Sequence, residues 1–458
     1  MYCGYVVRVE HLREHSNADR LMVATFFGND TIVDNQVHIG DMGVYFPVDG
    51  QLSEHFCAVN NLVRRKDENG NQIGGYLDPD KRNIKAIKLR GEKSDGLYLP
   101  ITCLMEFCKV SDLNIGDTIT VLNGEEICRK YIPHRNSVSV AKGNKVHKVK
   151  VNVAPTFYEH IDTAQLAYNL NDFKPGDIVQ LTLKMHGTSG RTGYLPLHHP
   201  QKRNLLDILL HHTREKVEYG YITGTRRVVL AEGRQGGFYD SDEFRYAMAK
   251  KFENKLHKGE VVYYEIVGFQ GPNGAPIMAE VSNAKVKDKE FVKQYGETTT
   301  FAYGCDPAGT YEMQTNEAGD MVMPPCCEIY VYRMTMVNED GDVVEYSPAQ
   351  IKERCEQMGI QTVMEFETFI IPDAVRLPDT VGSIQRVNAG EYVLRKVEQY
   401  FDGPDPIGGI HVREGVVARI LNRSNFAAYK HKNFNFKCLE GIAKDEAEAP
   451  DIEEVQEV

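Results

Sequence analysis

The sequence predicts an α+β fold in two parts: a small antiparallel barrel at the N-terminus, then a larger domain of antiparallel sheets with helices between the strands. Three observations predict it. To about residue 125 the chain is a succession of short strand-like runs, GYVVRVEHL, MVATFF, TIVDN, MGVYFPV, NIKAIKL and DTITVL. Turn signals such as GND, IGD and VDG separate them, the pattern of a small barrel. From about 150 to 440, longer strands (DIVQLTLK, GYITGTRRVVL, EVVYYEIVGF, EIYVYRMTMV, GVVARIL) alternate with helical stretches (NLLDILLHHTREKVEYG, DEFRYAMAKKFENKLHKG, SPAQIKERCEQMG). Finally, neither GxGxxG nor GxxxxGK[ST] opens a helix, which removes the main support for Rossmann and P-loop readings.

Composition bounds the rest. A chain of 458 residues with 42% hydrophobic residues suits two domains, each with its own core. The ten cysteines are scattered without a CxxC pair, so neither a zinc cage nor a disulfide framework is indicated. The N-terminal MYCGYVVRVEHLREH lacks the apolar region of a secretion signal, and no window reaches a membrane span. A cytoplasmic protein with no membrane partner, and a monomer, is the expectation.

Net charge is -12, but it is unevenly placed. The final 18 residues, GIAKDEAEAPDIEEVQEV, hold seven acids and one lysine and read as an acidic disordered tail. Residues 129–150 carry seven Lys or Arg and no acid, a local charge that can bind phosphates where the global charge does not. The stretch reads as a basic linker running into KVHKVKVNV, which alternates with period two. Segment limits follow: 1–128 for the barrel module, 129–150 for the linker, 151–440 for the larger domain and 441–458 for the tail.

Chemistry concentrates on LTLKMHGTSG, residues 181–190. A protonated amine is no nucleophile, but burial at a strand end and neighbouring cations disfavour the charged form of Lys184. Gly187 lets backbone approach a ligand, and Thr188 and Ser189 offer hydroxyl donors. Alone, KMHG equally fits a strand-end lysine that snorkels. Four further strand-borne motifs follow in order: TGTRRVV (223–229), VVYYEIVG (261–268), REGVVAR (413–419) and YKHKNFNFK (429–437).

In this order and chemistry the motifs resemble those of covalent nucleotidyltransferases, the ATP-dependent ligases and RNA capping enzymes. The histidine of KMHG is similar to that on the RNA ligase side of this superfamily. SNADRLMVATF, MGVYFPVDGQLSEHF and RNIKAIKLRGEKSDGLYLP resemble the N-terminal OB-type module of one RNA ligase branch. HSNADRLMVATF also resembles OB-type tRNA-binding modules of aminoacyl-tRNA synthetases. The resemblance covers most of residues 1–440 and implies an OB-like module followed by an antiparallel-sheet, ATP-grasp-like ligase domain.

The resemblance also implies residue roles. Lys184 would attack the α-phosphorus of ATP, release pyrophosphate and hold AMP as a phosphoramidate, with His186, Gly187, Thr188 and Ser189 beside the nucleotide. Arg226 would contact ribose or phosphates, and Glu265 a ribose hydroxyl. Tyr332 or Phe301 would stack on adenine. Glu414, with Glu265, would anchor Mg²⁺ or Mn²⁺, and Lys430 and Lys432 would grip the α-phosphate. Acids and lysines converging on a triphosphate themselves call for a metal, since the carboxylates would otherwise repel it.

The function so implied is an ATP-dependent RNA ligase acting on RNA ends, or on a nicked duplex with an RNA 3′-OH strand. Alternatives are a DNA ligase, a capping-type guanylyltransferase, or a non-catalytic RNA-binding adaptor. The pairs His198–His199 and His211–His212 lack a third ligand at familiar spacing and read as a surface loop and helix turn. Arg191 is a further candidate for phosphate contact.

Overall fold

The computed structural model describes residues 2–66, 72–131, 154–200, 215–230, 239, 242–338, 340–373, 375–378, 384–440 and 443–445. They form two compact units: Met1–Val140 with Ser282–Gln294 and Phe434–Val458, and Ala141–Val281 with Tyr295–Asn433. Two excursions of the chain therefore join the N-terminal unit, an arrangement that differs from the colinear division expected at 128 and 440. The acidic tail beyond 445, most of the 129–150 stretch, its KVHKVKVNV strand and His211–His212 lie outside the described residues.

The first unit holds β1 (Gly4–Arg8), β2 (Leu21–Phe26), β3 (Asn29–Asp34), β4 (Met42–Phe46), β5 (Leu97–Pro100) and β6 (Thr118–Ile119); all but β5 fall on predicted strand runs, as does the short strand Ala86–Leu89. The sheet order is β5-β4-β1-β6, antiparallel throughout, while β2 and β3 pair in a separate sheet with Leu12–Glu14. Among the described residues no sheet closes on itself, so the expected barrel is here a set of small sheets. The β5-β4-β1-β6 sheet packs on a core that includes Val6, Val44, Phe46, Leu52, Leu104 and Phe107. Helix α1 (Glu54–Val59), capped by Ser53, adds Phe56 and Cys57.

The second unit holds two larger sheets. One has the order β7-β16-β15-β8-β14, with β7 Ala164–Gln165, β8 Ile178–Lys184, β14 Glu365–Ile370, β15 Gly415–Ile420 and β16 Ala427–Lys432. The other has the order β10-β9-β11-β12-β13, with β9 Thr188–Pro200, β10 Glu215–Gly224, β11 Glu260–Gly268, β12 Cys327–Val337 and β13 Val343–Glu345. Pairing is antiparallel except at β7–β16 and where Gln361–Thr362 runs beside β12. β11 is buried at every position but Glu265, as a strand covered on both faces is, whereas β8 turns Gln180, Thr182 and Lys184 toward the cavity.

Local signals place the helices. α2 (Glu243–Lys250) buries Phe244 and Met248 against the second sheet. α3 (Pro348–Met358) begins at a Ser347 capping box with proline at its first position and ends at left-handed Gly359. α4 (Ala389–Val397) has an Asn388 capping box and packs on the first sheet through Val393 and Val397. The expected helix over 204–220 is corrected at its described end: Glu215–Gly220 belongs to β10 and pairs residue by residue with Leu195–Pro200 of β9. Strand pairing overrides a helix-like composition there. His198 and His199 likewise stand on β9, not in a loop, and His198 Nδ1 meets Glu215 Oε2 at 2.8 Å.

Every cysteine is a free thiol. Among the described residues no helix is long and apolar enough to cross a membrane. One buried ion pair ties α3 to β11. Glu260 is fully buried and accepts hydrogen bonds from Arg354 Nε and Nη2 (both 2.8 Å), from the Tyr346 hydroxyl (3.0 Å) and from the His257 amide (2.7 Å). Removing one partner of such a pair strands the other charge. Glu260→Ala is therefore expected to cost about 3–5 kcal/mol of stability, read as a lowered urea midpoint.

Candidate active site

Three of the five motif strands converge at one end of the first sheet. Lys184 closes β8 and lies opposite Gly415, the first residue of β15, and Gly415 in turn lies opposite Lys432 at the end of β16. Residues 185–187 then carry the chain into the second sheet, where Thr188 and Ser189 pair with Ile266 and Glu265 of β11. This crossing is tight. A Cβ at 187 would lie 2.3 Å from the Ile266 carbonyl and 2.9 Å from Glu265 Cγ, so only glycine fits. Gly415 adopts φ +151, and a Cβ there would meet the His431 carbonyl at 2.0 Å.

Register then dictates contact. Glu414 is 1% exposed, and its Oε1 is shared by Lys184 Nζ at 2.7 Å and Lys432 Nζ at 3.0 Å. Burial alone would raise the Glu414 carboxyl, but the two ammonium groups override it and hold it at about 2. Its other oxygen, Oε2, is buried without a hydrogen-bond partner, with His186 Nδ1 at 3.8 Å. An orphaned anionic oxygen of this kind suits a divalent cation. Burial pushes His186 down to about 4 against the pull of Glu414, so its ring is neutral at pH 7.

The second carboxylate behaves oppositely. Burial raises Glu265 to about 7, Lys184 opposes the rise and the Glu414 charge adds to it. Ser189 Oγ donates to Glu265 Oε2 at 3.2 Å. Two acids near one lysine are thus driven apart in proton affinity by their surroundings. Sequence reasoning expected Lys184 to be surrounded by cations. The structure corrects this: its partner is a carboxylate, and the second cation, Lys432, sits on the same oxygen.

A cavity of about 700 Å³ opens beside Lys184, with Ser189, Arg226, Glu265 and Tyr332 in its wall. Arg226, half exposed, pairs with Asp162 at 3.0 Å. Of the two aromatic candidates, Tyr332 lines the cavity. Phe301 does not: it is 3% exposed behind the turn, its ring edge-on to His186 at 4.6 Å. Lys430 stands two residues before Lys432 and so on the same face of β16, outside the cavity wall. Arg191 is corrected to a structural role. It is buried, donates to the carbonyls of Thr225 (3.0 Å) and Phe157 (3.1 Å), and stacks over the Phe157 ring.

Three contributions escaped sequence reasoning. Arg245 of α2 donates to Thr188 Oγ1 at 2.6 Å and to the Ser189 carbonyl at 3.2 Å, bracing the strand start after the turn. Tyr303 accepts the His186 amide at 2.7 Å. His160 lines the cavity, its ring 5.1 Å from that of Tyr332, and burial lowers it to about 3, with Arg333 and Arg226 contributing. No local pattern marks any of them, because the contacts with Thr188, His186 and Tyr332 just described each span more than 50 residues.

Solved RNA ligase structures share the fold of this chain. Mutant RNA ligases of Naegleria gruberi align with this chain at a TM-score of 0.52. One with AMP and Mn is 14% identical, over 96% of this chain and 98% of that one. One with ATP and Mn is 13% identical, with the same coverage. The Naegleria gruberi RNA ligase with PPi aligns at a TM-score of 0.52 and 13% identity, over 95% of this chain and 97% of that one. At this identity the likeness is one of fold. No family model matches the chain, and no curated protein matches it in sequence.

The raised Glu265 carries a stability signature. Between about pH 4.5 and 7 the folded state binds a proton that the unfolded chain has released, so folding stability falls as pH rises through this window. Glu265→Gln removes the penalty. It is expected to stabilise the protein by about 1–2 kcal/mol at pH 8 and by close to zero below pH 4.5, measured by urea unfolding at both pH values.

Proposed function

We propose that the chain is an ATP-dependent RNA ligase that joins a 3′-OH end to a 5′-phosphate end. The observation that carries this reading is the buried Lys184–Glu414–Lys432 triad beside a cavity large enough for a nucleotide. The fold shared with RNA ligases over nearly the whole chain supports it.

In this reading Lys184 first leaves its ion pair and gives up a proton. Its nitrogen then bonds to the α-phosphorus as the bond to pyrophosphate breaks, leaving AMP on the lysine. AMP passes to a 5′-phosphate, and a 3′-hydroxyl displaces it to close the strand. Lys432, with Lys430 beside it, offsets charge on the α-phosphate, and Arg226 meets ribose or phosphate. Glu265, poised near neutrality, exchanges hydrogen bonds with a ribose hydroxyl, and Tyr332 offers its ring to adenine. His186, Gly187, Thr188 and Ser189 form the turn around the reacting group.

Glu414, through its orphaned oxygen, and Glu265 would hold Mg²⁺ or Mn²⁺, which would supply charge neutralisation at the phosphates. The N-terminal unit serves as the OB-type RNA grip, with the 129–150 basic stretch adding phosphate contacts, in a monomeric cytoplasmic enzyme.

Incubation with α-labelled ATP and Mg²⁺, then with nicked duplexes bearing an RNA or a DNA 3′-OH strand, tests the reading. Wild-type protein is expected to take up label and to seal the RNA nick. Lys184→Ala is expected to take up none, and persistent labelling of that variant would exclude the assigned nucleophile. Glu414→Gln should lower labelling by roughly 100-fold or more, since it removes the charge that Lys184 and Lys432 both pair with. Neutralising Lys145, Lys148 and Lys150 together should flatten the salt dependence of RNA affinity by up to about three units of slope, and an unchanged slope would dismiss that stretch as a contact.

A further inference from the structure

We propose that Tyr303 is a positioning residue that holds the Lys184 turn against the strand end bearing Glu414. Its consequence for adenylylation rests on the ligase reading above; the tether itself does not. The tyrosine hydroxyl accepts the backbone amide of His186 at 2.7 Å, two residues after the nucleophile candidate. On its other side the Tyr303 ring packs on His411 at 4.7 Å, three residues before Glu414. His411 meets Phe301 at 5.3 Å, and Phe301 meets the His186 ring at 4.6 Å. Four rings and one hydrogen bond therefore close a loop between the two segments that carry Lys184 and Glu414.

Burial makes the loop rigid. Tyr303, Phe301 and His411 are 2%, 3% and 0% exposed. The His411 ring is itself held by the Val412 carbonyl, 3.1 Å from Nδ1. Tyr303 adopts φ 50, a left-handed conformation that a non-glycine residue keeps only where its surroundings impose it. The loop before Glu414 supplies that pressure. A Cβ at Gly408 would lie 3.1 Å from the Gly304 nitrogen and 3.7 Å from the Tyr303 Cα, and the Asp405 amide donates to the His411 carbonyl at 2.8 Å.

None of these groups touches the cavity wall, so their effect on chemistry runs through the turn. Near-attack geometry tolerates displacement of the nucleophile poorly. Removing the hydroxyl takes this acceptor from the part-buried His186 amide and frees residues 185–187 to shift.

Tyr303→Phe deletes that one oxygen and keeps the ring. Backbone hydrogen exchange of the 184–188 segment in the full-length protein is expected to accelerate about tenfold, with exchange in α3 and α4 unchanged. Single-turnover labelling from α-labelled ATP is expected to slow about tenfold at saturating ATP, with half-saturation unchanged within twofold. Unaltered exchange at 184–188 overturns the tether. Accelerated exchange with a labelling rate within twofold of wild type overturns the positioning role. Absence of label in wild-type protein overturns the ligase reading alone, and the exchange result then decides the tether. If Tyr303→Phe does not fold, Phe301→Leu loosens the same ring closure with the hydroxyl in place. Its exchange at 184–188 should rise by a smaller factor, and no rise overturns the proposal.

Discussion

A carboxylate buried to 1% exposure between two lysines organises this molecule. Taking such a charge out of water costs several kcal/mol unless it is paired at close range, and pairing requires that both partners arrive from defined positions. Here they arrive from three adjacent strands at one sheet end, through the registers Lys184↔Gly415 and Gly415↔Lys432. The Glu414 carbonyl is fixed as well, by the Asn433 amide at 2.9 Å. A one-residue slip in either register would turn a lysine to the other face and leave the buried Glu414 with one of its two cations. The first sheet is therefore held in register by the charges it positions.

That constraint explains the contrast between the two acids. Glu414 has two cations in contact and is fixed as an anion, while Glu265, half-buried in the cavity wall, has a serine hydroxyl at 3.2 Å and is pushed toward neutrality. One is equipped to hold positive charge and the other to trade hydrogen bonds. The turn 185–187 lets a single lysine address both, because it joins the sheet that carries Glu414 to the sheet that carries Glu265. Arg245 braces its far end and Tyr303 its middle.

Much of this was legible in the chain. The strands at 178–184, 260–268, 327–337 and 415–420 stand where apolar runs are bounded by turn residues. The capping box at Ser347 and the glycine at 359 delimit α3 as such signals do. The motif order brought Lys184, Glu265, Glu414 and Lys432 to notice together. Other features were not legible, for specific reasons. Glu215–Gly220 is a strand because β9 offers it a full ladder, which no local window reveals. Arg191 stands in the sequence as one more candidate for phosphate contact, since sequence cannot show that the carbonyls of Phe157 and Thr225 already occupy it. Phe301 and Tyr332 were interchangeable as aromatic residues, and only packing sends one behind the turn and the other to the cavity.

Sequence by itself determined the antiparallel α+β character, the helix limits set by caps, and which residue types could supply nucleophile, acid and cation. Those properties are encoded in periodicity, turn chemistry and side-chain functional groups, all readable within a few residues. Tertiary structure decided that Lys184 is ion-paired with a carboxylate rather than ringed by cations, that the two glutamates differ in proton affinity, and that 282–294 and 434–440 belong to the N-terminal unit. Each of these depends on distances between segments far apart in the chain, and the charge state of a buried group follows those distances and not its neighbours in sequence.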